Sequence, residues 1–372
     1  MRTLAWVFGL GSLGYGLVGL NSGSKIEAVT TSRPPLGVSL DTKSVFNGRK
    51  IRLGDAMFSS NWRADVGALF NEKNCLNCHD HPTTGGINRR PGKDVFMIPD
   101  PHQIGGWSNF RRNKQVSESN GGDGYQGILR PENSVRRKSL PLFGLGLIDA
   151  IPLAAIKAKA DPLDKNNDGI SGRMLEVSKG EWGRFGWKLN SPNLKVFVQE
   201  AFEIELGVKG FDPKSHPIGT IDNNQIDATI WFIKMLAPPE PDPKILEMER
   251  GKALFNSINC SSCHTPTWKT GKQSEPALSE KSISPYSDLL LHQMGSGPLH
   301  LANGQIAERE VRTPLLWGIG AIGGPFLHDK SASTIEEAIE KGHLGEGEKS
   351  RQAFLNLTPK DRNFLVEFVK AL

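Results

Sequence analysis

Cysteine is scarce in this 372-residue sequence, with only four residues. That is far too few to hold a chain of this length in a disulfide framework. Blocks of Lys or Arg are absent, and the formal charge of +5 is spread along the chain. This argues against a dedicated nucleic-acid binder, while the mild surplus suits docking of an acidic partner. After residue 20 no apolar run approaches the roughly 18–20 residues of a membrane span. Extended alternation of apolar and polar residues is also missing, so helices are expected to dominate. Gly and Pro, by contrast, are plentiful at 41 and 24 residues, and they point to long loops. Hydrophobic residues make up 37%, enough for a sizeable core. At about 150 residues per domain the length suggests two domains.

The first residues read MRTLAWVFGLGSLGYGLVGL. Arg2 precedes an uncharged run from Leu4 to Leu20, and Asn21 to Ser24 are small and polar. This is the order of a secretory signal. Residues 1–24 are expected to be a signal peptide directing the chain to the periplasm, with 25–50 as an N-terminal extension. The apolar run carries five glycines and is marginal for a span; an uncleaved anchor is the alternative. No Cys follows it, which excludes a lipoprotein anchor, and no clear A-x-A cleavage site is visible.

Two segments match at an offset of 185 residues: GALFNEKNCLNCH at 67–79 and KALFNSINCSSCH at 252–264, identical at eight of 13 positions. A second echo follows each, LFGLG at 142–146 and LWGIG at 316–320. Between the copies, four prolines fall within Pro238–Pro243, a stiff linker that no helix can cross. The boundary is placed there, giving modules at 51–237, the first carrying an insertion, and 244–372. Helices are expected over Asn193–Val208, over Ile226–Leu236, after a Ser333–Glu336 capping box, and over Lys360–Leu372 behind Thr358-Pro359.

The motifs Cys75-Leu76-Asn77-Cys78-His79 and Cys260-Ser261-Ser262-Cys263-His264 use every cysteine. This is the attachment spacing of c-type haem. Two thiols on one turn reach the two vinyl groups of a porphyrin, and the next His reaches the iron. One such motif arises by chance; two within a matched repeat, behind a secretory signal, are specific. A four-thiolate zinc site fits poorly with 182 residues between the pairs, and two dithiol pairs are the other alternative. The fold class expected is mainly α: two cytochrome c-like domains, each with one covalent haem, and long loops. With both haems attached, no thiol remains for chemistry.

An iron closed by two protein ligands transfers electrons, whereas one with an open face binds peroxide or oxygen. Opposite His79 the candidates are His81, Met97 and His102; His81 lies too close in sequence to reach the other face. Opposite His264 they are His292, Met294, His328 and His343, and spacing alone does not choose. Asp164-Lys165-Asn166-Asn167-Asp168-Gly169 matches the first half of an EF-hand loop, with Asp164, Asn166 and Asp168 as calcium ligands. Leu175 stands at the twelfth position in place of Glu, and an Asx-rich turn is the alternative.

These features sit beside Arg312-Thr313-Pro314-Leu315-Leu316-Trp317-Gly318, Phe326-Leu327-His328-Asp329-Lys330 and Thr334–Ile339. Together they resemble the bacterial di-haem cytochrome c peroxidase and MauG superfamily. Within it the chain is similar to the di-haem oxidoreductase family, often labelled "thiol oxidoreductase", through Leu142–Pro152, Asp168–Arg173, Gly183–Lys188 and Pro285–Gly295. The segment from Gly105 to Asn133 is shorter than in that family, and Lys330 replaces the Gly of its His-Asp-Gly element. The resemblance implies that the second haem's distal ligand follows that element, which favours His343, then Met294. It places Asp149 where a distal carboxylate could move protons at the first haem, and it makes Arg136 and Arg312 candidates for haem propionates. Trp187 is a candidate electron relay.

The expected function is a periplasmic di-haem peroxidase-type oxidoreductase. It would reduce hydrogen peroxide at one haem, with electrons passed through the other from a cytochrome, a cupredoxin or an oxidised protein substrate. The alternative is a non-enzymatic di-haem electron carrier.

Overall fold

The computed structural model describes residues 39–40, 45–60, 74–89, 95–99, 107–109, 135–204, 206, 223–295 and 309–372, all within one compact unit of the chain. Short helices joined by long loops dominate. Helix α1 spans Val45–Ser59. Strands β1 (Val95–Pro99), β2 (Trp107–Asn109) and β3 (Val135–Arg137) form an antiparallel sheet in the order β2-β1-β3. There follow α2 (Leu145–Asp149), α3 (Leu153–Lys157), the hairpin of β4 (Glu176–Ser178) and β5 (Glu181–Trp182), α4 (Leu194–Ile204) and α5 (Asn223–Met235).

The C-terminal part contains α6 (Glu249–Ser257), a 3-10 turn at Cys260–Ser262, the pair β6 (Trp268–Lys269) and β7 (Ser282–Ile283), and the pair β8 (Leu291–Gln293) and β9 (Glu310–Arg312). It ends with α7 (Ile319–Ile322), α8 (Ile335–Gly342), α9 (Glu348–Leu355) and α10 (Pro359–Ala371). No helix among the described residues is long and apolar enough to cross a membrane.

The sequence repeat is also a structural repeat. In each copy a helix before the cysteine motif crosses a later helix at a glycine. A Cβ at Gly54 would strike the Ala228 carbonyl, and one at Gly251 would strike that of Phe364. The second glycine of each echo behaves alike: Gly146 presses on the Lys234 carbonyl and Gly320 on that of Lys370. Phe58 packs on Phe232 at 5.4 Å between ring centroids, and Phe255 on Phe368 at 5.6 Å. All four rings are buried.

The counterpart of Phe255 is therefore Phe58, not the Phe70 that the 185-residue offset proposes. Residues 61–73 lie outside the described residues. Gly54-Asp55-Ala56-Met57-Phe58 against Gly251-Lys252-Ala253-Leu254-Phe255 is the signal that reading missed.

Two cores form. The larger gathers Phe58, Phe143, Ile148, Phe202 and Ile233, and it also takes Trp268, Leu290 and Trp317 from beyond the linker. The smaller is built from Phe255, Phe326, Phe354 and Phe368. The packing also crosses the linker in the other direction. Arg173 bridges to Leu291, and Leu175 and Leu189 bury against the same residue. The linker is not a surface tether: Pro238 and Pro239 are buried. Gly144 and Gly318 open α2 and α7 with φ of 72° and 69°, a region that disfavours side chains. A Cβ on the first would meet Trp317 and Pro238, and one on the second Pro239.

Helix boundaries differ from expectation at several points: α5 starts three residues earlier, at Asn223, and ends at Met235, and α4 spans Leu194–Ile204. The box before α8 is shifted by one residue: Thr334 is the N-cap, accepting from Glu337 N at 3.0 Å, while Glu337 accepts from Ser333 N at 2.6 Å. The bridge between Phe326 and Ala332 keeps the chain extended up to Ser333, so the helix cannot start earlier. In α10 the helix begins at Pro359 itself, with Thr358 accepting from Asp361 N at 3.1 Å.

Candidate functional site

Each Cys-x-x-Cys-His motif folds as a tight turn that holds its half-buried histidine in the same way. His79 Nδ1 donates to the Gly86 carbonyl at 3.0 Å, and His264 Nδ1 to that of Tyr286 at 3.0 Å. Phe58 and Phe255 lie against them at 6.3 and 6.2 Å. A donating Nδ1 leaves Nε2 as a lone pair, the tautomer a metal ligand needs. Burial pushes both imidazoles down to about 4, with the carbonyl bonds opposing; the neighbouring His343 lowers His264 further. Both are therefore neutral near pH 7. Desolvation likewise pushes the Cys75 and Cys260 thiols up to about 12. Neutral thiols of this kind are poor redox dithiols.

A cavity of about 470 Å³ opens around the second motif, with Cys260, Cys263 and His264 on its wall. His343 lines it too, its ring centroid 6.3 Å from that of His264. Two imidazoles sharing one metal ion, at roughly 2.0–2.1 Å per bond plus the ring on either side, stand about this far apart. His343 caps the C-terminus of α8 and is held by its Nδ1, 3.2 Å from the Ala338 carbonyl. Burial lowers its pKa. Met294 shares this part of the cavity: its Cε and the His343 side chain both crowd Gly347.

The other candidates are placed differently. His328 lines the cavity with its ring 6.0 Å from Trp187. Trp187 Nε1 donates to the Lys138 carbonyl at 3.0 Å, and its own carbonyl accepts from Arg312 N at 2.9 Å. His292 has neither nitrogen free. Nε2 is 2.7 Å from Asp288 Oδ2, and Nδ1 is 2.7 Å from Glu346 Oε2. Although burial disfavours its charge, the two carboxylates raise its pKa to about 12. His292 is thus a buried imidazolium, 3.8 Å from the Cys263 sulfur. Cys263, Asp288 and His292 are the one metal-compatible cluster among the described residues, so the two cysteine pairs do not converge as a zinc site would require.

Arg312 is 3% exposed and lines the cavity. Its Nε has no partner among the described residues, and one long bond of 3.4 Å reaches the Arg184 carbonyl. Burial lowers its pKa to about 10. A buried cation with an unpaired donor, facing a cavity, is a site for an anion. Lys138 lines the same cavity, its pKa pushed down to about 8 by burial and then by Lys330 and Arg89. Two thiols, a neutral histidine, a second histidine across from it and cations without acidic partners among the described residues are a donor set that fits a haem with its propionates.

For the first site less is described. His102 lies outside the described residues. Met97 and Arg136 belong to β1 and β3, Met97 pairing with Val135 and Phe96 with Arg136. His81 Nε2 is 2.8 Å from Arg89 Nη1. Asp149, at the end of α2, accepts from Leu194 N at 3.1 Å, so its carboxylate caps α4. Its carbonyl also accepts from Arg184. In the Asp164–Gly169 loop the oxygens serve the loop's own backbone: Asp164 accepts from Gly169 N at 3.1 Å, Asn166 from Asp168 N at 3.1 Å, and Asp168 from Ile170 N at 2.8 Å.

Two residues that carry much of the geometry escaped the sequence reading. Glu346, three positions after His343, is the acceptor for Ser171, His292 and Gln293. Arg173 forms a bidentate pair with Glu310, both bonds at 2.6 Å. Neither lies at a recurring spacing from the cysteine motifs.

Paired modules, each holding a half-buried, neutral histidine beside two thiols, define a two-centre redox protein class. The family model described as "Di-haem oxidoreductase, putative peroxidase" matches residues 132–220 and 219–372, and the chain belongs to this di-haem oxidoreductase family. No curated protein matches it. Solved structures that it resembles include a hydrazine synthase from Kuenenia stuttgartiensis, at 16% identity and TM-score 0.46 over 97% of this chain and 100% of that one. Another is a MauG-like protein associated with microbial copper homeostasis, at 16% identity and TM-score 0.47 over 91% and 92%.

Proposed function

We propose that the chain is a periplasmic di-haem c-type oxidoreductase of peroxidase type. The observation that carries this is the matched placement of His79 and His264, with His343 facing only the second of them among the described residues. Cys75 and Cys78 would hold the first haem covalently, and Cys260 and Cys263 the second. When bound, the haems supply one-electron chemistry at iron. His264 and His343 would hold the second haem, which suits that centre to electron transfer, and His79 would hold the first, which suits that centre to hydrogen peroxide.

Each peroxide takes up two electrons and two protons and leaves as two waters. The electrons come from a small cytochrome or cupredoxin, or from an oxidised protein substrate; the net charge of +5 favours an acidic partner. Trp187, which joins Lys138 of the first module to Arg312 of the second, lies where electrons cross. Arg312 and Lys138 would hold the propionates of the second haem.

The test is anaerobic titration of the purified holoprotein with hydrogen peroxide, followed by EPR. One high-spin and one bis-imidazole low-spin centre, with peroxide consumed in proportion to reductant, are expected. Two low-spin centres inert to peroxide in every redox state would leave only the electron carrier.

A further inference from the structure

Glu346 is the most heavily used carboxylate around the second site. Its Oε1 accepts from Ser171 Oγ at 2.9 Å and from Gln293 N at 3.0 Å. Its Oε2 accepts from Ser171 N at 2.9 Å and from His292 Nδ1 at 2.7 Å. These donors lie on two separate segments: Ser171 precedes the linker, while His292 and Gln293 belong to β8. His292 is fixed in turn by Asp288 at 2.7 Å. The loop that carries Glu346 is pressed onto β8, because Gly345, with φ of 68°, sits against the Gln293 carbonyl.

Among the described residues His343 has no comparable clamp. Its ring meets only backbone carbonyls of its own helix, that of Ala338 at 3.2 Å and that of Ile339, and it stands at the C-cap of α8. Met294 stands beside it as a competing soft donor. The position of the imidazole therefore depends on what anchors the turn that follows.

The geometry points to Glu346 as the positioning residue that holds His343 over His264, an inference resting on the reading of these two histidines as the axial ligands of the second haem. Glu346 lines the cavity beside His292, and no bond to His264 is found among the described residues. It acts by tying residues 343–347 to β8 and to Ser171. Because Ser171 follows directly on the Asp164–Gly169 loop, ligation at the second centre is linked to the order of that loop. Loss of the carboxylate frees the turn, and His343 then gives way to Met294 or to an added ligand.

The experiment uses the full-length holoprotein with both haems attached, as Glu346→Ala, Glu346→Gln and Ser171→Ala. Haem content and far-ultraviolet circular dichroism check folding. The readouts are the EPR and optical signature of the second haem, its midpoint potential, and the rate of cyanide binding to it. In Glu346→Ala the bis-imidazole signal should be lost in part, and cyanide should bind on the order of tenfold to a hundredfold faster, as expected for losing a set of charge-assisted bonds. Glu346→Gln keeps an acceptor oxygen and should fall between. Ser171→Ala should move the same signals the same way by less, which keeps the test open if the alanine variant does not accumulate. Wild-type signals and rates in both Glu346→Gln and Ser171→Ala overturn the inference alone. A wild-type protein with no bis-imidazole signal overturns the ligand reading beneath it as well.

Discussion

Replacing Arg312 by Met asks whether the buried guanidinium waits for an anion. The side chain is 3% exposed, its Nε is unpaired among the described residues, and burial alone brings its pKa from 12.5 to about 10. That shift corresponds to about 3 kcal/mol of unfavourable desolvation. If nothing offset it, methionine in its place would be neutral or stabilising by about 1–4 kcal/mol. With a haem propionate against the guanidinium the sign reverses. A bond between charged groups contributes on the order of 1.5–3 kcal/mol, about 65–130 mV for a one-electron couple. Removing the cation leaves an uncompensated negative charge near the iron, which favours the oxidised state. Potentiometric titration of the Arg312→Met holoprotein should show the midpoint of one haem falling by that amount, the other unmoved, and a lower melting temperature. An unchanged midpoint with an unchanged or raised melting temperature would refute the reasoning.

Three further outcomes are expected. Asp149→Ala removes the acceptor for Leu194 N and should cost about 1 kcal/mol in denaturant unfolding; a drop in peroxide turnover of 10²-fold or more would instead mark the carboxylate as an acid–base group. Gly320→Ala forces a Cβ into the Lys370 carbonyl and should destabilise by about 1–3 kcal/mol; a melting temperature equal to wild type contradicts the helix contact. His292 has a folded pKa of about 12 against an ordinary value of 6.5, so the folded state holds one proton more than the unfolded state between those values. Its contribution is complete below pH 6.5 and should decline by about 1.4 kcal/mol per unit as pH rises towards 12. Denaturation at several alkaline pH values should show a shallower decline in His292→Gln, and equal slopes would count against the imidazolium.

What was legible in advance followed from local chemistry. A motif able to grip one porphyrin has to be contiguous, so the two cysteine motifs stand out in the sequence. The helices around Val198 and Phe232, and α10 behind Thr358-Pro359, follow from apolar spacing and capping that neighbours do not override. The box before α8 shows the limit. Ser333–Glu336 and Thr334–Glu337 satisfy the same pattern, and only the pairing of Phe326 with Ala332, a tertiary contact, selects the second. Phe58 was missed because the chain between α1 and Cys75 is longer than its counterpart, so two parts of one module repeat at different offsets. Glu346 was unreadable for another reason: an acceptor for Ser171 and β8 exists only once segments more than fifty residues apart have met. The proline run was read as a spacer from composition, but burial against Gly144 and Gly318 is a property of shape.

That proline run has a mechanical consequence. Pro238 and Pro239 sit side by side in the chain, and each seats against the opening glycine of a different module. Adjacent rigid residues thus act as a double bearing with a fixed gauge, and a single inserted or deleted residue would unseat one side. Such a joint resists the opening motion by which many two-lobed proteins admit their partners.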